Sequence, residues 1–166
     1  MEPPRVDIAN ALIGQPAPDF TLLSHNEGEL NLSWYRGRKN VVLAFYPGDW
    51  TSVCAQQIPG LQAVLDRFEV LNCQLLAISV DSRSSHKSWA RSLGGLSFPL
   101  MSDYFPHGAV AAQYGVLNRL GYAERSFFAI DLQGVVRYVD VVPQAEMPDI
   151  HRLLETLAGF PKKPSD

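Results

Sequence analysis

Two cysteines, no C-x-x-C pair and no apolar run near the ~20 residues of a membrane-spanning helix mark what this 166-residue chain does without. So few cysteines argue against a disulfide framework, and the missing C-x-x-C argues against a dithiol reductase. The four histidines, His25, His86, His107 and His151, show no H-x-x-x-H spacing, so no metal site is expected. No glycine-rich nucleotide loop follows the first strand-like segment, so no flavin, nicotinamide or other cofactor is expected either. A net charge of −3, with Lys162-Lys163 read as part of a solvated, proline-flanked tail, speaks against nucleic acid or an anionic membrane as partner. The start, Met1-Glu2-Pro3-Pro4-Arg5, lacks the apolar core of an export signal. Together with the sparse cysteines, this predicts a soluble cytoplasmic protein.

What is present fits a single domain over 1–166, with 1–11 and 160–166 expected as flexible ends. Val41–Tyr46, Leu75–Val80 and Ser126–Asp131 are apolar runs of strand length separated by helical patterns, which predicts parallel strands joined by crossovers. Asp131-Leu132-Gln133-Gly134 reads as a tight turn into Val135–Val141, giving one late hairpin. Asp149 to Leu157 carries Ile150, Leu153, Leu154 and Leu157 on one side, the pattern of an amphipathic closing helix. The expected fold is α/β, a mixed central sheet flanked by helices.

The densest signal lies between Val41–Tyr46 and the helical pattern of Ile58, Leu61, Leu65 and Phe68. There Pro47-Gly48-Asp49-Trp50-Thr51-Ser52-Val53-Cys54 takes a strand through a proline turn to a cysteine near a helix start. Unpaired N–H groups and the positive end of the helix dipole favour an anion at that place, hence the thiolate form of Cys54. Pro59 disfavours helical geometry at Ile58, so the helix is expected to kink there, with a first turn, Ser52 to Ile58, able to loosen.

Pro47, Thr51 and Cys54 reproduce the P-x-x-x-T-x-x-C signature of peroxiredoxins, and Arg125 to Asp131 resembles the family's R-x-x-F-x-I-D segment. Gly14 to Leu22 resembles the family's opening strand. His86-Lys87-Ser88-Trp89-Ala90 and Ser102 to Val110, followed by Tyr114-Gly115-Val116, look most like the one-cysteine alkyl hydroperoxide reductases of the E type. The resemblance implies a thioredoxin-like fold and a thiol peroxidase acting on hydrogen peroxide and organic hydroperoxides. It implies a homodimer formed through loops near the site, including Trp50 and Ser102–Pro106. One departure stands out. Three residues after the reactive cysteine the family usually has a glutamate, and here stands Gln57, which can accept a hydrogen bond but brings no charge.

The chemistry and the resemblance assign the same donors. A thiolate displaces one oxygen of a peroxide and becomes a sulfenic acid. A fuller thiolate population near neutral pH is worth roughly one order of magnitude in rate, whereas enzymes typically gain about a millionfold or more. The rest must come from donors aimed at the departing oxygen. Those are the Thr51 hydroxyl, the Cys54 N–H and the Arg125 guanidinium, with Pro47 shielding the sulfur. Tyr46, Trp50 and Phe127 are expected to supply an apolar wall for alkyl substrates. Cys73 reads as a buried structural thiol, so the sulfenic acid is expected to be reduced by an external thiol or thioredoxin-like partner. The rival readings are a thiol–disulfide oxidoreductase using Cys54 with Cys73, and a redox sensor or chaperone-like module without catalysis.

Overall fold

A computed structural model describes residues 6–143 and 145–163. Seven strands form one sheet in the order β2-β1-β5-β4-β3-β6-β7. They are β1 (Thr21–Ser24), β2 (Glu29–Asn31), β3 (Asn40–Phe45), β4 (Cys73–Ser79), β5 (Leu100–Ser102), β6 (Ser126–Ile130) and β7 (Val136–Val141). The helices are α1 (Val6–Ala11), α2 (Cys54–Ala63), α3 (Leu65–Val70), α4 (Arg83–Ser92), α5 (Ala109–Gln113) and α6 (Ile150–Ala158), with a 3-10 turn at Leu32–Tyr35. Helices cover both faces, the thioredoxin-like arrangement expected from the sequence.

Every residue of β3 is buried, because the strand lies mid-sheet between two covered faces. Its side chains alternate. Val42, Ala44 and Tyr46 join a cluster with Cys54, Ile58 and Leu61 of α2 and with Leu153, Leu154 and Leu157 of α6. Val41, Leu43 and Phe45 join the opposite cluster with Phe20, Val110 and Tyr114. Each fully buried Leu, Ile or Phe contributes about 1.5–3 kcal/mol, so both faces hold the strand in register.

Two expectations need correction. β3 runs parallel to β4, and β4 to β5, but β6 is antiparallel to β3, pairing Phe45 with Ser126. A run of apolar residues carries no direction, and the chain's return through α5 and the following loop reverses it. The residues expected to open the sheet, Gly14 to Leu22, enter a strand only at Thr21, after an isolated bridge from Pro16 to Val135. In the terminal segments, Val6–Ala11 is helical with Ala9 buried. Likewise the Pro161 and Lys162 carbonyls accept hydrogen bonds from the side-chain amides of Asn40 and Asn72. The remaining residues of those segments, 1–5 and 164–166, lie outside the described residues. Among the described residues, no helix is long and apolar enough to cross a membrane.

Candidate active site

β3 delivers the chain at Phe45 to the carboxyl edge of its parallel pairing with β4, where open α/β sheets place their sites. The loop from Tyr46 to Val53 then turns into α2, whose first residue is Cys54. Beside Phe45, the pairing with Ser126 brings Arg125 to the same edge. The two meet: Arg125 Nη1 lies 3.2 Å from Cys54 Sγ, and both residues are buried.

Gln57 stands one turn along α2 from Cys54 and accepts a hydrogen bond from the same Nη1 through its Oε1. The amide thus does for Arg125 what a carboxylate would do, without the charge. Its Nε2 is buried and has no partner. Helix geometry explains the grouping, since positions 54, 57, 58 and 61 share one face and all four are buried against the sheet. Tyr46 and Phe127 lie in the same cluster as Cys54 and form its apolar floor. Burial raises the Tyr46 phenol well above its ordinary range, with the Asp49 charge adding to this, so it stays protonated and donates to Asp49 Oδ1 at 2.8 Å.

Other expected residues sit differently from the sequence reading. The Thr51 hydroxyl donates to the Gly48 carbonyl at 3.0 Å, so its lone pairs, not its proton, are available to a ligand. It does not cap α2, whose N-cap is Val53 with no side-chain bond. Pro47 is half-buried in the turn, bringing no donor. Trp50 is 58% exposed and forms no wall over Cys54 within one chain. Within α2 the helix begins before Pro59 and continues through it to Ala63. Among the described residues the Cys54 N–H takes no acceptor, as befits the first turn of a helix.

Sequence reasoning passed over a second set of polar groups behind the loop. The Asp49 carboxylate accepts from Tyr46 at 2.8 Å, from Ser85 at 2.8 Å and from His86 Nδ1 at 2.8 Å. The Asp49 N–H donates to Asp81 Oδ2 at 2.8 Å, and Asp81 Oδ2 also takes the Ser79 hydroxyl. His86 Nε2 faces the Met101 carbonyl at 3.1 Å. The imidazole thus bridges the Asp49 carboxylate and the β5 backbone, and both side chains are fully buried. Asp49, Asp81 and His86 lie close enough for a shared cation, but these hydrogen bonds already occupy both Asp49 oxygens, Asp81 Oδ2 and the imidazole nitrogens. No spacing rule links residues 49, 81 and 86. An aspartate in the strand-to-helix turn and the His86 segment of the family resemblance were the available signals.

Known proteins resemble this chain over most of its length. The AhpC/TSA family matches residues 13–139. Alkyl hydroperoxide reductase E of Mycobacterium tuberculosis is 40% identical over 149 residues, covering 89% of this chain and 97% of that protein. Rat peroxiredoxin-2 is 42% identical over 142 residues, covering 80% of this chain and 70% of its own. The reduced 2-Cys peroxiredoxin of Plasmodium vivax superposes with a TM-score of 0.81 at 32% identity, covering 88% of this chain and 80% of that one. A sulfur and a guanidinium held together at a sheet edge, within a match of this extent, make the chain a member of the AhpC/TSA family, the peroxiredoxins, and a thiol peroxidase.

Proposed function

We propose that the protein reduces hydrogen peroxide and organic hydroperoxides through Cys54 in a one-cysteine cycle completed by an external thiol. The observation that carries this reading is the buried contact between Arg125 Nη1 and Cys54 Sγ. The Cys54 thiolate attacks one peroxide oxygen, an S–O bond forms as the O–O bond breaks, and sulfur gives up two electrons to become a sulfenic acid. The departing oxygen takes a proton and leaves as alcohol or water. Arg125 and the free Cys54 N–H supply positive potential where charge grows on that oxygen, inside a site from which water is largely excluded. The Thr51 hydroxyl, its proton committed to Gly48, accepts the hydrogen bond of the incoming O–H and turns the peroxide toward the sulfur. An external thiol then attacks the sulfenic sulfur, releasing water and leaving a mixed disulfide, which a second thiol opens.

The 2-Cys relatives favour a second reading, in which Cys73 resolves the sulfenic acid. Position argues against it within one chain. Cys73 pairs with Asn40 at the amino end of β3, whereas Cys54 lies beyond its carboxyl end. At about 3.3 Å per residue those ends are about 17 Å apart, and a disulfide needs Cα atoms within about 7 Å. Burial also pushes the Cys73 thiol up to about 12, so it has almost no thiolate to offer.

The exposed Trp50, Tyr104 and Phe105 support a homodimer built on loops at this edge, and the cytoplasm is the compartment in which reducing thiols are plentiful. Stopped-flow oxidation of the reduced protein by hydrogen peroxide and by a hydroperoxide of an alkyl chain, with a sulfenate trap and mass detection, tests the cycle. Rapid loss of one peroxide per chain with a trapped sulfenate is expected. Consumption no faster than free glutathione would overturn the peroxidase reading, and a 54–73 disulfide would overturn the one-cysteine reading.

A further inference from the structure

Trp50 adopts φ of 70°, a left-handed conformation that a bulky aromatic residue avoids. Such a conformation is strained and persists only where its surroundings over-determine it. The surroundings here are visible. Asp49, the residue immediately before, is fixed at both its backbone and its side chain. Its N–H is held by Asp81, and its carboxylate by Tyr46, Ser85 and the buried His86. His86 is in turn fastened through Nε2 to the Met101 carbonyl on β5. One residue after Trp50 comes Thr51, whose carbonyl accepts from Ala55 N in the first turn of α2 and whose hydroxyl closes onto Gly48. A rigid chain of contacts therefore runs from β5 through His86 and Asp49 to the strained turn, and from there to Thr51 and the start of the Cys54 helix.

We propose that His86, acting through Asp49, is a positioning residue that holds the strained turn at Trp50 and so fixes Thr51 against Cys54 in the geometry that peroxide attack requires. This rests on the peroxidase reading and adds to it a residue that touches neither sulfur nor substrate. The His86–Asp49 contact lies between α4 and the loop, where neither side chain meets solvent. A fully satisfied buried polar network fixes one conformation more than it adds net stability. Remove His86, and Asp49 loses the partner that ties it to β5. The turn then relaxes toward an ordinary backbone angle at Trp50. Misplacing a reacting group by about 1 Å costs roughly a hundredfold in rate.

The test is a mutant cycle read by two reactions of Cys54. Peroxide oxidation needs Thr51 and the turn in place, whereas alkylation by iodoacetamide needs only an accessible thiolate. His86→Ala is expected to slow oxidation about a hundredfold while alkylation stays within about twofold. In the Trp50→Gly background, where a positive φ carries no strain, His86→Ala is expected to slow oxidation by less than about tenfold. Equal slowing in both backgrounds overturns the proposal. So does a parallel fall in alkylation, or no slowing at all. Should His86→Ala fail to fold, Ser85→Ala, which removes one bond to Asp49 and keeps the His86–Asp49 contact, is carried through the same cycle. A smaller effect of the same pattern supports the proposal, and none overturns it. The unsubstituted protein's oxidation rate against free glutathione, measured alongside, judges the peroxidase reading separately.

Discussion

The two margins of β3 each hold a buried cysteine in the same apolar cluster, and only one of them is built for chemistry. At the carboxyl margin Cys54 opens a helix, meets a guanidinium at 3.2 Å and sits beside a loop clamped by Asp49. At the amino margin the Cys73 sulfur meets only backbone, the Gln74 carbonyl at 3.9 Å and Val42, among the described residues. Burial alone therefore decides nothing about a thiol. The difference lies in what burial brings next to it: a cation and an unpaired N–H in one case, apolar side chains and strand backbone in the other.

Cys54→Ser breaks the comparison at its strong end and is expected to abolish peroxide turnover in a coupled assay. Next comes Arg125→Ala, which removes the charged donor and is expected to slow oxidation of Cys54 by about a hundredfold to a thousandfold in stopped flow. A purely local repacking would leave that rate within about threefold.

The helices on this face sharpen the contrast. α6 is capped by Asp149, which accepts from Arg152 N, and has no proline or glycine inside. α2 has no side-chain cap and carries Pro59 and Gly60, residues about 3 and about 1 kcal/mol worse than alanine in a helix interior. Amide exchange in the first two turns of α2 is expected to run at least about tenfold faster than in α6. Equal protection would remove the expectation that the first turn, Ser52 to Ile58, loosens.

The smallest effects belong to the quiet margin. Cys73→Ala is expected to leave peroxide turnover within about twofold, because no proposed step uses that sulfur. Its signature is alkaline instead. Folding raises this thiol from 9.0 to about 12, chiefly through burial, so the folded state holds the proton more tightly than the unfolded chain does. The resulting stabilisation is complete below about pH 9 and declines at about 1.4 kcal/mol per pH unit until about pH 12. Urea titrations of the two proteins at pH 7 and pH 10 check this: the unsubstituted protein loses more stability than Cys73→Ala over that interval.

Much of the site was legible because its chemistry is written locally. Pro47, Thr51 and Cys54 fall within one turn and helix start, and Gln57 follows at helical spacing. Arg125 was readable only through its family context, since pairing of Phe45 with Ser126 is a tertiary fact. The antiparallel course of β6 was hidden for the same reason. β2 and β5, three residues each, are too short for periodicity to speak. The partner of the Thr51 hydroxyl and the outward stance of Trp50 depend on backbone angles that residue identity does not fix. Least visible was the clasp of Asp49, His86 and Asp81, assembled from the β3–α2 loop, the loop after β4 and helix α4.

The β3–β4 register has one further consequence at the bench. Because it keeps the two sulfurs at opposite rims of the sheet, an internal bridge would require peeling β4 away from its neighbours. Gel mobility without reductant is therefore expected to stay that of a single compact chain after peroxide, and any heavier covalent band to report a link between molecules.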